Sequence, residues 1–309
     1  MLKIAVKGSK DKCIRYEKRV NKNCWIGLIN PSNDEIERIC KLTNIERDVL
    51  IAALDDNEKP RVEKEDDYVL VIVRAPFRRS ENDIIVLPLG IVLTRDYIIT
   101  ICLEEIDVLK DFYQGKIKLF STGKKNRFLL QILSNVDRHF IMYLDNIEKE
   151  IEDIEKRLLR TLKNEEVIKL LRFRKILTYF NTSIIANENV LEKILKGNII
   201  KLYKEDEDVL EDIIIENKQA IEMVSIFTNI LSDTMETFNG IISNNLNIVM
   251  KFLTSITIIL SFPTIIASIY GMNIALPIQT SPFAFYVIMI FTLFLSFLVY
   301  YIFSKKGWI

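Results

Sequence analysis

The C-terminal part of the sequence lacks charge. No Asp, Glu, Lys, Arg or His occurs between Phe252 and Ser304, although 27% of all residues are charged. A membrane-spanning helix needs about 20 apolar residues, so this stretch is long enough for two helices separated by a turn. Two consecutive runs of this length are rare in soluble domains. The turn-forming residues that separate the runs are Gly271, Asn273, Pro277, Ser281 and Pro282.

Lysines flank the two predicted spans. Lys251 stands at the start of the first span, and Lys305 and Lys306 follow the second, whereas the loop between them carries no charge. The positive-inside rule therefore predicts that both termini are cytoplasmic. The segment Met1–Val6 is too short to be a signal peptide. We expect a multi-pass protein of the cell (plasma) membrane in contact with the lipid bilayer.

Residues that usually carry catalysis or structural metal are scarce. The four cysteines have no regular spacing, which predicts reduced thiols and neither a disulfide framework nor a zinc site. The single histidine, His139, has no partner at metal-ligand spacing and is interpreted as a packed or surface residue. The sequence contains no phosphate-binding glycine loop, zinc-protease motif or nucleophile elbow. We therefore expect that the protein is not an enzyme. The formal net charge of zero implies no overall electrostatic attraction to nucleic acid, so we expect no nucleic-acid partner.

The remaining sequence predicts an α+β membrane protein with a cytoplasmic N-terminal α/β domain, long stalk helices and two C-terminal transmembrane helices. Ser32 and Glu35 form the capping-box pattern of a helix over Asp34–Leu42. Apolar residues recur at three- and four-residue steps between Phe128 and Leu158, and a second run continues from near Val209 into the first span. The predicted strands are Lys3–Val6, Cys24–Ile29, Val69–Arg74, Ile84–Leu93 and Tyr97–Leu103. The predicted regions are an α/β domain at 1–125, a stalk at 126–247, spans at 248–270 and 283–304, a loop at 271–282 and a basic cytoplasmic tail at 305–309.

The first predicted span has a polar face. At about 100° per residue, its polar and small residues fall within an arc of about 120°. Ser and Thr in spans commonly mediate helix contacts, which is the simpler interpretation. The stripe nevertheless runs the whole length of the span, and several copies around an axis would turn it into a water-filled pore. Pro263 interrupts the backbone hydrogen bonds of this helix, so we expect a bend there. The residues of the stripe are Asn247, Met250, Leu253, Thr254, Thr257, Ser261, Thr264 and Ser268.

The first span ends in Tyr270-Gly271-Met272-Asn273. This ending, at this position in a two-span hairpin, resembles the CorA family of divalent-cation transporters. The resemblance extends to the pore positions Asn247, Met250, Leu253 and Thr264, and to the tail Lys305–Trp308. It implies a funnel-shaped homopentamer that takes up Mg²⁺, with Co²⁺ and Ni²⁺ as further candidate cargo, and that is gated by cytoplasmic Mg²⁺.

The resemblance also implies roles for individual residues. Gly271, Met272 and Asn273 would form a selectivity filter whose oxygens hold a hydrated ion. Met250 and Leu253 would form an apolar constriction that gates by dewetting.

The regulatory carboxylates depart from the family pattern. Asp212 matches a regulatory Asp of the family, although an acidic start of a helix would explain it equally well. The partner carboxylates of the family are replaced by Ile51 and Ala52, and Asp55 and Asp56 follow about one turn later. The outer loop also lacks the acidic residue that many relatives carry.

The sequence is compatible with two other functions. The first is transport of Zn²⁺, as in the zinc branch of the superfamily, although the spans contain neither Cys nor His, the ligands that dehydrated zinc favours. The second is a non-conducting membrane tether, in which the polar stripe would face a partner helix rather than water.

Overall fold

The computed structural model describes residues 1–9, 11, 13–80, 83–117, 119–158, 164–197, 199–274, 276–278 and 281–309. The chain divides into two compact units, Met1–Asp233 and Thr234–Ile309. The first unit contains the sheet and most of the helices. The second contains the C-terminal part of one long helix and all of the last helix.

A seven-stranded sheet forms the centre of the first unit. All five predicted strands are confirmed, and β2 and β4 are additions at the two edges. Neighbouring strands are antiparallel except for β3 and β7, which are parallel. The strand order is β2-β1-β3-β7-β6-β5-β4. The strands are β1 (Leu2–Val6), β2 (Arg15–Tyr16), β3 (Trp25–Ile29), β4 (Arg61–Lys64), β5 (Tyr68–Ser80), β6 (Asp83–Thr94) and β7 (Ile98–Cys102).

The described residues form seven helices. The predicted capping box is confirmed, because the Ser32 hydroxyl accepts the Glu35 N–H and the Glu35 carboxylate accepts the Ser32 N–H. The predicted helical repeat is also confirmed, since Ile132, Val136 and Phe140 are buried together with the other apolar residues of that run. The helices are α1 (Asn33–Thr43), α2 (Arg47–Ala52), α3 (Asp107–Tyr113), α4 (Lys125–Leu158), α5 (Asn164–Lys196), α6 (Lys204–Tyr270) and α7 (Ala284–Lys305).

Helices cover both faces of the sheet at β3, which explains why all five residues of this strand are buried. On one face, Ile26 and Leu28 belong to an apolar core that includes Ile36 and Ile39 of α1. On the other face, Trp25 lies in an aromatic cluster. The rings around Trp25 belong to Phe112, Tyr113, Phe120 and Phe128.

Gly27 of β3 is required by this aromatic layer. A Cβ atom at position 27 would lie 2.1 Å from the hydroxyl oxygen of Tyr113. The Trp25 indole N–H donates to the Thr100 hydroxyl at 2.8 Å, so the buried ring also satisfies its polar atom. The centre of the sheet is therefore tightly packed around a Trp25 ring whose N–H has a partner.

The second unit contains the two most apolar helical segments of the chain. Among its described residues from Ile241 onwards, only Ser255 of α6 and Thr292 of α7 are buried. The hydroxyls of both residues donate to the carbonyl four residues earlier in the same helix, at 2.7 Å each. We infer that α6 and α7 pack against each other at these two small residues.

Candidate ion pathway

Among the described residues, two helices, α6 and α7, are long and apolar enough to cross a membrane. Their apolar stretches are almost entirely exposed within the single chain, which distinguishes them from core helices of a soluble domain. Large apolar side chains such as Phe291 and Phe297 are more than half exposed. A surface of this kind is stable in hydrocarbon rather than in water.

The polar stripe of α6 lies on a free face of that helix. Asn247, Thr257, Thr264 and Ser268 are exposed, whereas Ser261 is half-buried. At about 100° per residue, Ser255 lies roughly opposite the centre of the stripe. Most of the stripe is therefore exposed in the single chain, and its polar atoms are available to water or to another helix.

The hydroxyl groups of the stripe present acceptor oxygens outward. Thr257 donates to the Leu253 carbonyl at 2.9 Å, Ser261 to the Thr257 carbonyl at 2.7 Å, and Thr264 to the Leu260 carbonyl at 3.1 Å. Because each hydroxyl proton is used within the helix, the lone pairs of the oxygen remain on its outer side. Acceptor oxygens are what the water shell of a cation requires.

Two apolar residues interrupt the polar face near the end of the stripe that begins at Asn247. Met250 and Leu253 are 52% and 56% exposed. They lie on the same side of the helix as Asn247 and Thr257. The stripe therefore combines an apolar section with a longer section of acceptor oxygens.

The Gly-Met-Asn segment forms a turn at the end of α6. The Gly271 N–H donates to the Ala267 carbonyl at 2.9 Å and the Met272 N–H to the Ile269 carbonyl at 3.2 Å. Asn273 is exposed, and no hydrogen bond within the described residues engages its side-chain amide. A Cβ atom at position 271 would lie 3.2 Å from the Ala267 carbonyl oxygen, which is tighter than ordinary contact. The turn thus exposes one side-chain amide next to backbone carbonyls.

Asp55 and Asp56 lie in an ordered loop of the first unit. The Asp55 carboxylate accepts the Asn57 N–H at 2.9 Å. Arg74 of β5 donates to the carbonyls of Asp56 at 2.7 Å and Glu58 at 3.1 Å. Both aspartates are exposed, so their carboxylates face solvent in the single chain.

Asp212 lies on the exposed side of α6 within the first unit. Burial raises the pKa of Glu216, one helical turn later, and the negative charge of Asp212 raises it further. Within the described residues, no group of three or more His, Cys, Asp or Glu side chains is arranged to hold a metal ion. The structure therefore does not bring Asp212 together with Asp55 and Asp56 in a complete site of one chain.

His139 is a packed residue, one of the two possibilities left by the sequence. Its Nε2 atom lies 2.8 Å from Oδ2 of Asp111, and both side chains are almost fully buried. Lys116 donates to the other carboxylate oxygen of Asp111 at 2.8 Å. The contact joins α4 to α3 and involves no other metal-ligating side chain.

Comparison with known proteins identifies the family. The model of the CorA-like Mg²⁺ transporter protein family matches residues 20–306. The chain belongs to the CorA family. The cobalt/magnesium transport protein CorA of Methanocaldococcus jannaschii is 32% identical over 295 residues, which cover 92% of this chain and 91% of that protein. The complete structure of the CorA magnesium transporter from the same organism has a TM-score of 0.89 and 28% identity, and the match covers 100% of this chain and 99% of that one.

Two further relatives extend the comparison. The cobalt/magnesium transport protein CorA of Thermotoga maritima is 25% identical over 257 residues, which cover 81% of this chain and 72% of that protein. The cytoplasmic domain of ZntB from Vibrio parahaemolyticus matches at 13% identity with a TM-score of 0.64, over 78% of this chain and 98% of that one. At this low identity the likeness to ZntB concerns the fold alone. Membership of the CorA family confirms the resemblance inferred from Tyr270–Asn273.

Three polar residues with buried or partly buried hydrogen bonds were not predicted from the sequence of this CorA-family chain. Arg74 is the one charged residue between Tyr68 and Phe77 of β5, and Asp137 lies on the buried face of α4, so both could have been recognised as polar exceptions. Asn187 of α5 has no such signal, because it lies among other polar residues. Its role depends on a strand that is distant in the sequence.

Proposed function

We propose that this protein is a membrane transporter of divalent cations that acts as a Mg²⁺ uptake channel. The observation that carries the proposal is the free polar face of α6, whose acceptor oxygens lead to the Gly-Met-Asn turn. Membership of the CorA family supports the same function. The related protein of M. jannaschii carries the name cobalt/magnesium transport protein, so Co²⁺ is a second candidate cargo and Ni²⁺ a third.

The proposed filter is the turn Gly271, Met272 and Asn273. Mg²⁺ prefers six oxygen ligands and gives up its water reluctantly, so a filter for it can select the hydrated ion. The side-chain oxygen of Asn273 and the carbonyl of Gly271 would accept hydrogen bonds from the water shell. Gly271 has no side chain that could block this approach. Below the filter, Thr264, Ser261 and Thr257 would continue the wetted path, with Ser268 above them.

The path requires several copies of the chain. One helix cannot enclose water, and most of the stripe is exposed in the single chain. We propose a homopentamer in which α6 of each copy lines the pore and α7 faces lipid. In that arrangement Asn247, Met250 and Leu253 would lie at the cytoplasmic end, where the last two would form the apolar gate.

The membrane potential would supply the driving force. With both termini in the cytoplasm, Gly271–Asn273 faces the outside of the cell membrane. An inside-negative potential favours entry by about 2.3 kcal/mol per charge per 100 mV, and a divalent ion carries twice that. No catalytic step or energy-coupling site is needed for uptake in this direction.

Cytoplasmic Mg²⁺ is the proposed regulator, with Asp212 as one ligand and Asp55 and Asp56 as candidate partners from a neighbouring copy. If so, millimolar Mg²⁺ protects the first unit from proteolysis, and Asp212→Ala weakens this protection. Asp208→Ala is the matched control, because Asp208 is equally exposed one turn earlier on α6. Equal protection of the wild type and both variants would exclude Asp212 as a regulatory ligand.

The function is tested by ion flux into proteoliposomes. Mg²⁺, Co²⁺ and Zn²⁺ are compared for the wild type, Asn273→Ala and Asn245→Ala. Asn245 is an exposed asparagine of α6 that lies outside the polar stripe, so it controls for the chemical change. We expect Asn273→Ala alone to change Mg²⁺ flux. Unchanged flux in this variant would refute the filter, and a preference for Zn²⁺ would favour the zinc branch.

A further inference from the structure

A buried acid and a buried amide connect α4 to α6 within the first unit. The Nδ2 atom of Asn217 donates to Oδ1 of Asp137 at 2.8 Å. Asp137 is 2% exposed and Asn217 is completely buried. The contact joins two residues that are 80 positions apart in the sequence. It lies five residues after Asp212 along α6.

The same two side chains leave two oxygen atoms without a partner. Within the described residues, Oδ2 of Asp137 and Oδ1 of Asn217 are both buried and make no hydrogen bond. If Asp137 is ionised, both oxygens are acceptors and cannot bond to each other. A buried carboxylate with a single hydrogen bond would also be strongly unfavourable.

A single proton on Asp137 would pair the two oxygens and remove the buried negative charge. Protonation converts Oδ2 of Asp137 into a donor, and Oδ1 of Asn217 is the acceptor on the same partner amide. A bond between these two atoms, together with the observed one, would close an acid–amide ring and give both oxygens a partner. A water molecule or a cation would satisfy only the acceptors and would need further ligands at the same place.

The surrounding charges favour the protonated form. The pKa of Asp137 is raised to about 8, chiefly by burial. The negative charge of Glu216 adds to the rise, and the hydrogen bond from Asn217 opposes it. Glu216 itself faces Asp212 and Arg138. On other sides of α4, His139 is bonded to Asp111, which also accepts from Lys116, and Phe180 of α5 packs against Phe140. These contacts place no described cation against the Asp137 carboxylate.

We propose that Asp137 and Asn217 form a proton-operated latch between α4 and α6. In the closed latch the Asp137 carboxyl is neutral and donates to Asn217. When the Oδ2–H bond breaks, the proton passes to water and an unpaired carboxylate remains between the helices, which opens the contact. The latch is inferred from the contacts of Asp137 and Asn217 alone. Its effect on gating rests on the proposed function, because opening would release the segment of α6 that carries Asp212.

The direction of the pH effect follows from the proton count. The folded chain holds the Asp137 proton up to about pH 8, whereas the unfolded chain loses it near the ordinary value of 3.8. The folded state therefore binds the extra proton between these values, and its stability falls as the pH rises. The latch is closed in mildly acidic and neutral solution and opens in alkaline solution.

The test uses the full-length protein in lipid nanodiscs with isotope-labelled aspartate and infrared spectroscopy. We expect a protonated-carboxyl band in the wild type that is lost around pH 8, is absent in Asp137→Asn and is retained in Asp145→Asn. Asp145 is an exposed aspartate on the same helix and is the matched control. Hydrogen exchange over 210–220 should rise with pH relative to Asp137→Asn, because an amide at position 137 keeps both hydrogen bonds at any pH.

A second variant keeps the proposal falsifiable if Asp137→Asn folds poorly. Asn217→Ala removes both the bond to the carboxylate oxygen and the acceptor of the Asp137 proton, so the pH at which the band is lost should change. A wild type without a protonated-carboxyl band at neutral pH would overturn the proposal. So would a band that neither substitution affects. Both readouts are independent of ion flux, so failure of the latch and failure of the proposed transport function can be distinguished.

Discussion

Asn187 of α5 holds the backbone of Arg74 with both ends of its side-chain amide. Its Oδ1 atom accepts the Arg74 N–H and its Nδ2 atom donates to the Arg74 carbonyl, each at 2.8 Å. The edge strand β4 begins at Arg61, which pairs with Ile72, so β4 does not extend to Arg74. Asn187 therefore takes the place of a strand residue and attaches α5 to the sheet. Arg74 in turn fixes the loop that contains Asp56.

Asn187→Ala should destabilise the first unit. The substitution leaves the backbone N–H and carbonyl of Arg74 without partners at a site where Asn187 is only 3% exposed. We expect a loss of about 1–3 kcal/mol in the free energy of unfolding. Asn189→Ala is the control, because Asn189 is exposed on the same helix and donates only to the Ile185 carbonyl. Thermal denaturation that shows equal losses for both variants would contradict this role.

The sequence predicts those parts of the fold that depend on local pattern. The capping box at Ser32, the helical repeat of α4 and the charge-free hairpin can be recognised without knowing any tertiary contact. The edge strands were missed because Arg15–Tyr16 is very short and Arg61–Lys64 is mostly charged. The Asn187 contact spans 113 positions, and nothing local to either residue indicates it.

In the candidate pathway, too, the sequence predicts the features that depend on local spacing. The polar stripe follows from helical spacing alone, and the structure adds that it faces away from Ser255 and that its hydroxyl protons are used within the helix. The filter at Gly271–Asn273 stays a prediction, and the structure adds only that Asn273 is exposed. The regulatory carboxylates could not be judged from one chain, since Asp212 would need ligands from another copy.

Ser268→Leu should lower Mg²⁺ flux because it places a large apolar side chain on the polar stripe. Ala267→Leu introduces the same side chain at the neighbouring exposed position, which lies about 100° away around α6. We expect flux to fall about tenfold or more in the first variant, equivalent to ~1.4 kcal/mol on the barrier, and little in the second. If both variants conduct equally, the stripe does not line the pathway.

Gly271→Ala should impair conduction without preventing insertion of the protein into membranes. The added Cβ atom would lie 3.2 Å from the Ala267 carbonyl oxygen, so the turn that presents Asn273 must shift. Gly240→Ala is the control, because no atom lies within 4 Å of its added Cβ atom. Alanine in the middle of a helix is also more stable than glycine by about 0.5–1 kcal/mol. Flux measured at equal protein content should fall only for Gly271→Ala. A normal flux would show that the turn tolerates a side chain.

Asp111→Asn should reduce stability at neutral pH and have little effect in acid. Burial alone would raise the pKa of Asp111, but Lys116 and His139 hold it below its ordinary value. A lowered pKa stabilises the folded state above the ordinary value of 3.8, and this contribution is lost as the pH falls through the folded pKa. We expect a loss of about 3 kcal/mol near pH 7, because the substitution leaves a buried partner unpaired.

The check on Asp111 is a series of denaturant titrations between acidic and neutral pH. Asp145→Asn, an exposed substitution on α4, should follow the wild type throughout. A difference between Asp111→Asn and the wild type that stays constant with pH would show that the carboxylate charge contributes nothing.

The most direct test of cation conduction is Mg²⁺ uptake by the wild-type protein in proteoliposomes under a controlled membrane potential. We predict uptake that increases when the interior is made negative, decreases when the potential is reversed, and needs no nucleotide. Vesicles without protein provide the baseline. If folded, membrane-inserted protein shows no flux of Mg²⁺, Co²⁺ or Zn²⁺ at either potential, the proposed channel function is wrong.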